Sequence, residues 1–333
     1  MATSRDVAHA AGVSQATVSR VLTGDAAVRE STRARVLAAI DEVGYTPNVA
    51  AQSMRTGRSN TIGVVVADLD NPFYPQLLSA LSRELARLER RTSVWVSAGD
   101  MNAAALQAIR QGTVDGVVFT TVTEGSAELR DALERKSPVV LVNRTLPEAP
   151  CDQVASDNAR GSALVADYFV AHGRRRPAFI SGPLATSTSR ERLDGYSARL
   201  ASAGVALPGT HTIHGEYTRQ SGYRSMLRLL DEHDRPDAVF CSNDILAFGA
   251  IDAARMRGLR VPEDVWVVGY DDVDMASWEA FDLTTVRQDT QQLAAEAARM
   301  LVQRIDARDR PPERVVLEPL LIVRGSTAHT SDG

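Results

Sequence analysis

The chain of 333 residues has few of the sequence features that common enzyme sites require. Lys136 is its only lysine, and no phosphate-binding GxxxxGK[ST] loop occurs. No GxGxxG follows the first apolar run, and no GxSxG nucleophile elbow is present. These absences argue against a nucleotide-dependent enzyme, and we expect no catalytic residues and no cofactor.

Cysteine and closely spaced histidine are also scarce. Cys151 and Cys241 are the two cysteines, lie far apart and form no CxxC pair. We therefore expect two reduced, buried thiols rather than a disulfide or a metal site. His211 and His214 are the one close histidine pair, with no acidic or cysteine partner at ligand spacing, so we expect them on the surface.

Apolar runs long enough for a membrane span, about 18 residues, are missing. No charged and then apolar signal segment opens the sequence. We therefore expect a soluble, cytoplasmic protein. Its length exceeds the usual size of a single core, which predicts two or three domains.

The net charge of −5 is unevenly distributed. Seven arginines and five acidic residues give residues 1–58 a charge of +2, which leaves −7 for the rest of the chain. A slightly basic head on an acidic body suits a small DNA-contacting module attached to a body that does not touch DNA.

Residues 4–22 have the pattern of two short helices joined by a sharp turn. Thr3 and Asp6 can form a capping box at the start of the first helix. Gly12 stands where the chain must turn, and Ser14 can cap the second helix. The pattern is typical of a helix-turn-helix that reads DNA, and an ordinary helical hairpin with a solvated polar face is the alternative.

The second helix supplies the candidate DNA contacts. Val18, Val21 and Leu22 recur at helical spacing and must face inward, so the polar residues face outward. Arginine can donate two hydrogen bonds to guanine, glutamine matches the edge of adenine, and alanine can contact a thymine methyl group. Hydroxyl groups suit phosphate oxygens. The candidates are Ser14, Gln15, Ala16, Thr17 and Arg20.

A third helix is predicted from about Ser31 to Val43, with Gly44 as its stop. Its apolar residues predict an inward face that closes a three-helix core: Val36, Leu37, Ile40 and Val43. The head then covers residues 1–44.

Residues 45–59 form a predicted hinge. Thr46 is a possible N-cap, Pro47 fits a first helical turn, and Gly57 is a possible C-cap. The helix between them has about two turns, and isolated helices shorter than about 12 to 15 residues are marginal in water. We therefore interpret it as a hinge helix that orders on a partner.

From residue 60 to about 330, short apolar runs alternate with amphipathic helical stretches. This alternation predicts an α/β core of two parallel-sheet lobes with helices on both faces. The predicted strands are Ile62–Val66, Val94–Val96, Gly116–Phe119, Val139–Val142, Ala178–Ile180, Ala238–Phe240 and Val265–Val268.

Polar and aromatic residues follow the predicted strands, where ligands of parallel sheets bind. Each group alone is more often a loop turn or a helix cap. Their recurrence predicts one crevice for a small polyhydroxylated ligand, with rings against its faces and planar groups bonding its hydroxyls. The groups are 68–74, 143–144, 187–192, 216–217, 242–244, 269–272 and 287–289.

The chain resembles the LacI/GalR family of bacterial transcriptional regulators from residue 2 to about 327. The motifs that carry the resemblance are Arg5-Asp6-Val7-Ala8, Gly12-Val13-Ser14, Thr17 to Leu22, Tyr45 to Asn48, Asn71-Pro72-Phe73, Ser242-Asn243-Asp244, Val268 to Asp272, Leu283 to Val286 and Leu321 to Ser326.

The resemblance implies a homodimer whose two heads bind a palindromic operator, with hinge helices in the minor groove. The core would be periplasmic-binding-protein-like and bind an effector between two lobes. The expected N-lobe covers 60–157 and 289–317, and the C-lobe covers 158–288 and 318–330. Because the chain ends soon after Ser326 without a leucine-rich tail, a dimer is expected rather than a tetramer.

The resemblance also implies site residues. Gln15, Ala16 and Arg20 would read bases, and the hinge would contact DNA through Asn48, Ala51 and Met54. Met54 replaces the usual wedge leucine; methionine is apolar and flexible enough to wedge between base pairs. The implied effector-binding residues are Asn71, Phe73, Asn143, Arg192, Tyr217, Asn243, Asp271 and Gln288.

The expected function is therefore that of a ligand-responsive repressor. A sugar or sugar derivative is the expected effector, and a purine or nucleoside is the alternative because Phe73 and Tyr217 could flank a base. A solute-binding protein with the same core is the alternative function. Whether the effector induces or corepresses stays open.

Overall fold

The computed structural model divides into two compact units, Met1–Ser59 and Asn60–Gly333. The predicted hinge residues 46–57, including Asn48, Ala51 and Met54, lie outside the described residues. The structure describes residues 2–22, 25–45, 58–66, 68–96, 102–123 and 125–327.

The first unit contains three helices, α1 (Ser4–Ala10), α2 (Gln15–Leu22) and α3 (Glu30–Val43). The predicted capping box is present, since Thr3 accepts a hydrogen bond from the Asp6 backbone and Asp6 accepts one from the Thr3 backbone. Gly12 adopts a φ of +60° at the turn, a conformation that glycine takes without steric cost. Gly44 ends α3 in the left-handed conformation.

The core of the head is small and apolar. Val7, Val18 and Val36 are fully buried, and Val21 and Ala39 are nearly so. The prediction that Leu37 faces inward is wrong, because 49% of it is exposed. The buried stripe of α3 runs through residues 36, 39, 40 and 43, and residue 37 is rotated by about 100° from residue 36.

The first sheet of the second unit has six parallel strands in the order β11-β5-β4-β3-β1-β2. Its helices are α4 (Phe73–Arg87), α5 (Asn102–Arg110), α6 (Ala127–Glu134) and α11 (Thr290–Asp306). Its strands are β1 (Thr61–Val66), β2 (Arg91–Val96), β3 (Gly116–Phe119), β4 (Val139–Val142), β5 (Asp152–Ser156) and β11 (Arg314–Leu317).

The second sheet has the order β12-β10-β9-β8-β6-β7 and is parallel except for the antiparallel edge strand β12. Its helices are α7 (Asn158–Ala171), α8 (Ser187–Ser202), α9 (Arg219–Asp231) and α10 (Asp244–Met256). Its strands are β6 (Pro177–Ser181), β7 (Thr212–His214), β8 (Ala238–Cys241), β9 (Trp266–Asp271), β10 (Thr284–Arg287) and β12 (Leu320–Ile322).

The chain passes between the two sheets three times, after β5, after β10 and after β11. The buried apolar residues of α4 and α11 cover one face of the first sheet. This two-sheet arrangement confirms the predicted fold class, and it brings strand ends of both sheets to a common crevice.

Both cysteines are free and buried, as predicted. The prediction that His211 is on the surface is wrong. His211 is 3% exposed, and its ring nitrogens lie 3.1 Å and 2.8 Å from the carbonyl oxygens of Pro177 and Asp234. These two carbonyls hold the ring in place, whereas His214 is exposed. Among the described helices, none combines the length and hydropathy that a membrane crossing requires.

Candidate functional site

A crevice lies between the carboxyl ends of the two sheets. Parallel strands direct their carboxyl ends to one edge, so the loops that follow them converge there. The residues that line the crevice are Asn71, Phe73, Tyr74, Asn143, Arg144, Thr188, Arg192, Tyr217, Asn243 and Asp271.

Two asparagines of the crevice also hold the local backbone. Asn71 Oδ1 accepts a hydrogen bond of 3.1 Å from the Phe73 backbone at the start of α4. Asn243 Oδ1 caps α10 by accepting from the Leu246 backbone at 3.1 Å. In both cases the oxygen is used by the fold, so the amide nitrogen is the group available as a donor for a ligand.

Asn143 and Arg144 follow β4. Asn143 has a φ of +73°, and its buried Oδ1 has no hydrogen-bond partner among the described residues. Arg144 is 9% exposed and donates to Thr121 Oγ1 at 2.8 Å and to the Tyr74 hydroxyl at 3.2 Å. Burial raises the pKa of Tyr74, so this hydroxyl is neutral.

Arg192 projects from α8 and is 2% exposed. Its Nε donates to Asn158 Oδ1 at 2.8 Å, and its Nη1 donates to the Ser242 carbonyl. Its guanidinium carbon lies 3.6 Å from the centre of the Tyr270 ring, a cation–π contact. These contacts fix the guanidinium in one orientation at the crevice wall.

Asp271 ends β9 with a φ of +121° and faces Arg192. Burial raises the pKa of the Asp271 carboxyl to about 6, although Arg192 and a hydrogen bond from Gln288 oppose the rise. Gln288 Nε2 donates to Asp271 Oδ1 at 2.7 Å. The carboxyl therefore changes its charge within a unit or so of neutral pH.

A second carboxyl, Asp244, lies behind Asp271. It is fully buried, accepts from Thr285 Oγ1 at 2.5 Å and accepts from the Val273 backbone at 2.9 Å. Burial and the neighbouring Asp271 raise the pKa of Asp244 well above its ordinary value. The bond from Val273 holds the loop that follows Asp271, and the bond from Thr285 links Asp244 to β10.

Tyr217 forms an aromatic wall. Its hydroxyl lies 2.7 Å from Ser189 Oγ and 3.2 Å from Thr188 Oγ1, which hold the ring in place. The ring packs on Gly182, where a Cβ atom would come within 2.4 Å of it. Only glycine leaves this space, so the residue after β6 is part of the site.

The structure brings seven of the eight predicted effector-binding residues around the crevice. Gln288 is the exception, because it contacts the site through Asp271 instead of lining it. Sequence reasoning missed Tyr74, Arg144 and Thr188, although each lies within one of the strand-end groups that the sequence indicated. Binding by these residues stays a prediction.

In the head, Ser14, Gln15, Ala16 and Arg20 are exposed on or beside α2, and Thr17 is half-buried. Ser14 Oγ accepts a hydrogen bond from the Thr17 backbone at 3.1 Å, which caps the helix. Gln15 Nε2 donates to Ser4 Oγ at 2.7 Å. The exposed polar face of α2 therefore has the residue types that can contact DNA.

Two family models match the chain. One, described as bacterial regulatory proteins of the lacI family, matches residues 3–48, and one for a periplasmic binding protein-like domain matches residues 166–327. The ribose operon repressor of Escherichia coli (strain K12) is 34% identical over 331 residues, which cover 98% of this chain and 100% of the relative. The chain belongs to the LacI family.

Other similar proteins agree with this assignment. The HTH-type transcriptional repressor PurR of Photobacterium profundum is 33% identical over 333 residues and covers 98% of both chains. The structure of a Lac repressor dimer bound to operator and the anti-inducer ONPF superposes with a TM-score of 0.87 at 28% identity, over 98% of this chain and 99% of that one. This LacI-family protein is a DNA-binding transcriptional repressor and not an enzyme.

Proposed function

We propose that this LacI-family repressor binds a palindromic operator as a homodimer and is controlled by a small sugar or sugar derivative in the crevice. The similarity to a Lac repressor dimer bound to operator supports the dimer and the operator. Since operator DNA lies in the bacterial cytoplasm, the proposal also makes the protein cytoplasmic.

On the DNA side, Gln15, Ala16 and Arg20 contact bases, and Ser14 and Thr17 contact phosphates. The exposure of these α2 residues, apart from the half-buried Thr17, supports their roles. The proposal also includes Asn48, Ala51 and Met54, which lie outside the described residues, as minor-groove contacts of the hinge.

On the effector side, one observation supports a polyhydroxylated ligand most strongly: a buried carboxylate and a buried guanidinium, Asp271 and Arg192, lie 3.6 Å apart in the wall of a crevice with several amide groups. Carboxylates accept from hydroxyls and guanidinium groups donate to them, so each hydroxyl of a sugar finds a partner. Phe73 and Tyr217 supply aromatic surface for the apolar face of the ring.

The effector couples to DNA by favouring one relative arrangement of the two lobes. The proposed lobes are 60–157 with 289–317 and 158–288 with 318–330. The three passages between the sheets, after β5, β10 and β11, support these boundaries. Crevice residues come from both sheets, so a bound ligand has different contacts when the lobes separate.

Deletion of residues 1–57 tests whether the head binds DNA and the core binds the effector. We expect the truncated protein, which retains the compact unit Asn60–Gly333, to lose binding to a palindrome from its own upstream region in fluorescence anisotropy. Effector binding should persist. DNA binding by the truncated protein would show that the head is wrongly assigned.

A thermal-shift screen of sugars and nucleosides tests the effector class, because a ligand of the native state raises its apparent stability. Asp271→Ala should abolish the response to the best sugar. A nucleoside that shifts the melting temperature more than every sugar would instead support the purine alternative.

A further inference from the structure

The charged groups of the crevice do not balance. Among the described residues that line it, two carry positive charge, Arg144 and Arg192, and only Asp271 can carry negative charge. Glu191 on α8 is not a lining residue, and its oxygens accept from Asn158 and Thr145 at 2.8 Å and 3.3 Å. The described walls therefore hold one positive charge in excess.

The excess lies at Arg144. Arg192 has a carboxylate 3.6 Å away and the Tyr270 ring beneath it. Arg144 is 9% exposed and has only neutral partners, Thr121 and Tyr74, and no carboxylate of the described residues lies within 4.0 Å of it. Its Nε is buried and has no hydrogen-bond partner there. A buried cation without a counter-ion is unfavourable, and an anionic ligand would remove that penalty.

The neighbouring residue, Asn143, also favours an anionic ligand. Asn143 precedes Arg144, lines the same crevice and carries a neutral amide, so it adds no negative charge there. Its Oδ1 is buried without a partner, so it can accept a ligand hydroxyl next to the anion. The β4 end of the crevice therefore combines an uncompensated cation with an unused acceptor.

We infer that the effector is a monosaccharide with a single carboxylate, a uronate or an aldonate, whose acid group binds Arg144 while its hydroxyls bind Arg192 and Asp271. This rests on the proposed sugar-controlled function. One excess positive charge matches a carboxylate better than a phosphate ester, which carries more than one negative charge.

Calorimetry on the full-length chain with matched ligands tests the inference. The pairs are D-galactose with D-galacturonate, D-glucose with D-glucuronate, and D-glucose with D-gluconate. We expect at least one acid to bind ten times more tightly than its neutral partner. The inference is overturned if the neutral member binds as tightly in every pair, or if glucose 6-phosphate binds more tightly than every acid.

Two variants and a control test whether Arg144 causes the preference for acidic over neutral sugars. Arg144→Gln should reduce the acid-to-neutral ratio to near one. Asn143→Asp adds the second carboxylate and should reverse the ratio; aspartate tolerates the positive φ of this position as asparagine does, so this variant should fold. Arg190→Gln removes a charge from the same helix as Arg192, where Arg190 binds the Leu184 carbonyl, and should leave the ratio unchanged.

The three possible failures have different meanings. If neutral sugars bind and acids do not, the inference fails and the sugar-controlled function stands. If neither neutral nor acidic sugars bind, the proposed effector class itself is wrong. If Asn143→Asp folds and keeps the acid preference of the natural chain, Arg144 is not the anion-binding group.

Discussion

The nearest atoms of the Arg192 guanidinium and the Asp271 carboxylate are 3.6 Å apart, in a crevice where both side chains are about 95% buried or more. A direct charge-assisted hydrogen bond would be about 2.7 to 2.9 Å long. The two groups therefore attract each other without a direct hydrogen bond, which leaves hydrogen-bonding capacity for a ligand. This geometry makes the pair the centre of the proposed effector site.

Replacement of Asp271 by asparagine should separate binding from stability. We expect Asp271→Asn to weaken effector binding roughly tenfold to a hundredfold, because a hydrogen bond to a charged group contributes about 1.5 to 3 kcal/mol. The amide keeps the contact with Gln288 and ends the repulsion with Asp244. It also leaves Arg192 without a carboxylate, but the raised pKa of Asp271 means that burial outweighs the attraction of Arg192 for the ionised form. Stability without ligand at pH 7 should therefore not fall.

Calorimetry and chemical denaturation measure the two effects. Asp274→Asn, which changes an exposed carboxylate three residues away, is the matched control and should alter neither. Unchanged effector affinity in Asp271→Asn would show that this carboxylate does not bind the ligand.

Effector affinity should depend on pH through Asp271. Its pKa rises from an ordinary 3.8 to about 6 in the folded chain, and hydroxyl donors of a ligand favour the ionised form. Affinity should therefore fall below about pH 6, approaching tenfold for each pH unit. In Asp271→Asn the profile should be much flatter, and an equally steep profile would assign the titration to another group.

The raised pKa of Asp271 gives the stability of the ligand-free protein the opposite pH dependence: stability falls, rather than rises, as the carboxyl ionises. The folded state holds the Asp271 proton more tightly than the unfolded state, so this group contributes stability below about pH 3.8. That contribution is lost as pH rises through about 6. Denaturation of the natural chain and of Asp271→Asn between pH 4.5 and 7 should show a difference that changes in this direction.

Operator recognition should depend on the exposed face of α2. We expect Arg20→Gln to cost about 1 to 3 kcal/mol of discrimination at one operator position, since that is the range for a good base contact. Arg35→Gln, an exposed arginine on α3, is the control for loss of charge alone. Anisotropy with single-base operator variants measures both, and equal loss in the two variants would argue against base reading by Arg20.

Stability should depend on a buried ion network at Asp152. This fully buried carboxylate accepts from Arg304 at 2.8 Å and 3.0 Å and from Arg310 at 2.8 Å. Asp152→Ala leaves the largely buried Arg304 without a carboxylate, so we expect a loss of about 3 to 5 kcal/mol of unfolding free energy. Arg310 keeps its ion pair with Glu313 at 3.0 Å. Asp167→Ala breaks the half-exposed pair with Arg199 and should cost under about 1 kcal/mol. Similar losses in both would contradict the ranking.

The sequence indicated the central strands because they are continuous apolar runs buried on both faces, as Val139–Val142 shows. It did not indicate β5, in which the polar residues Asp152, Gln153 and Ser156 are buried. Nor did it indicate β11 and β12, edge strands with exposed Val316 and Leu320. Pairing across the chain, rather than local pattern, makes these segments strands.

The crevice was predictable because parallel strands gather their following loops. The roles of the individual crevice residues were less predictable. Sequence alone gives no sign that Arg144 has only neutral partners while Arg192 has a carboxylate and an aromatic ring. Likewise, Gln288 reaches the site only through its bond to Asp271. Such distinctions depend on side-chain packing between segments distant in sequence.

The most direct test of the central claim is operator affinity of the full-length chain with and without the sugar or sugar acid that binds most tightly in calorimetry. We expect the operator dissociation constant to change at least fivefold, the lower end of ordinary coupling between sites. The change should be lost in Asp271→Asn at the same ligand concentration. An operator affinity that stays constant while the ligand saturates the natural chain would contradict the claim that the crevice controls DNA binding.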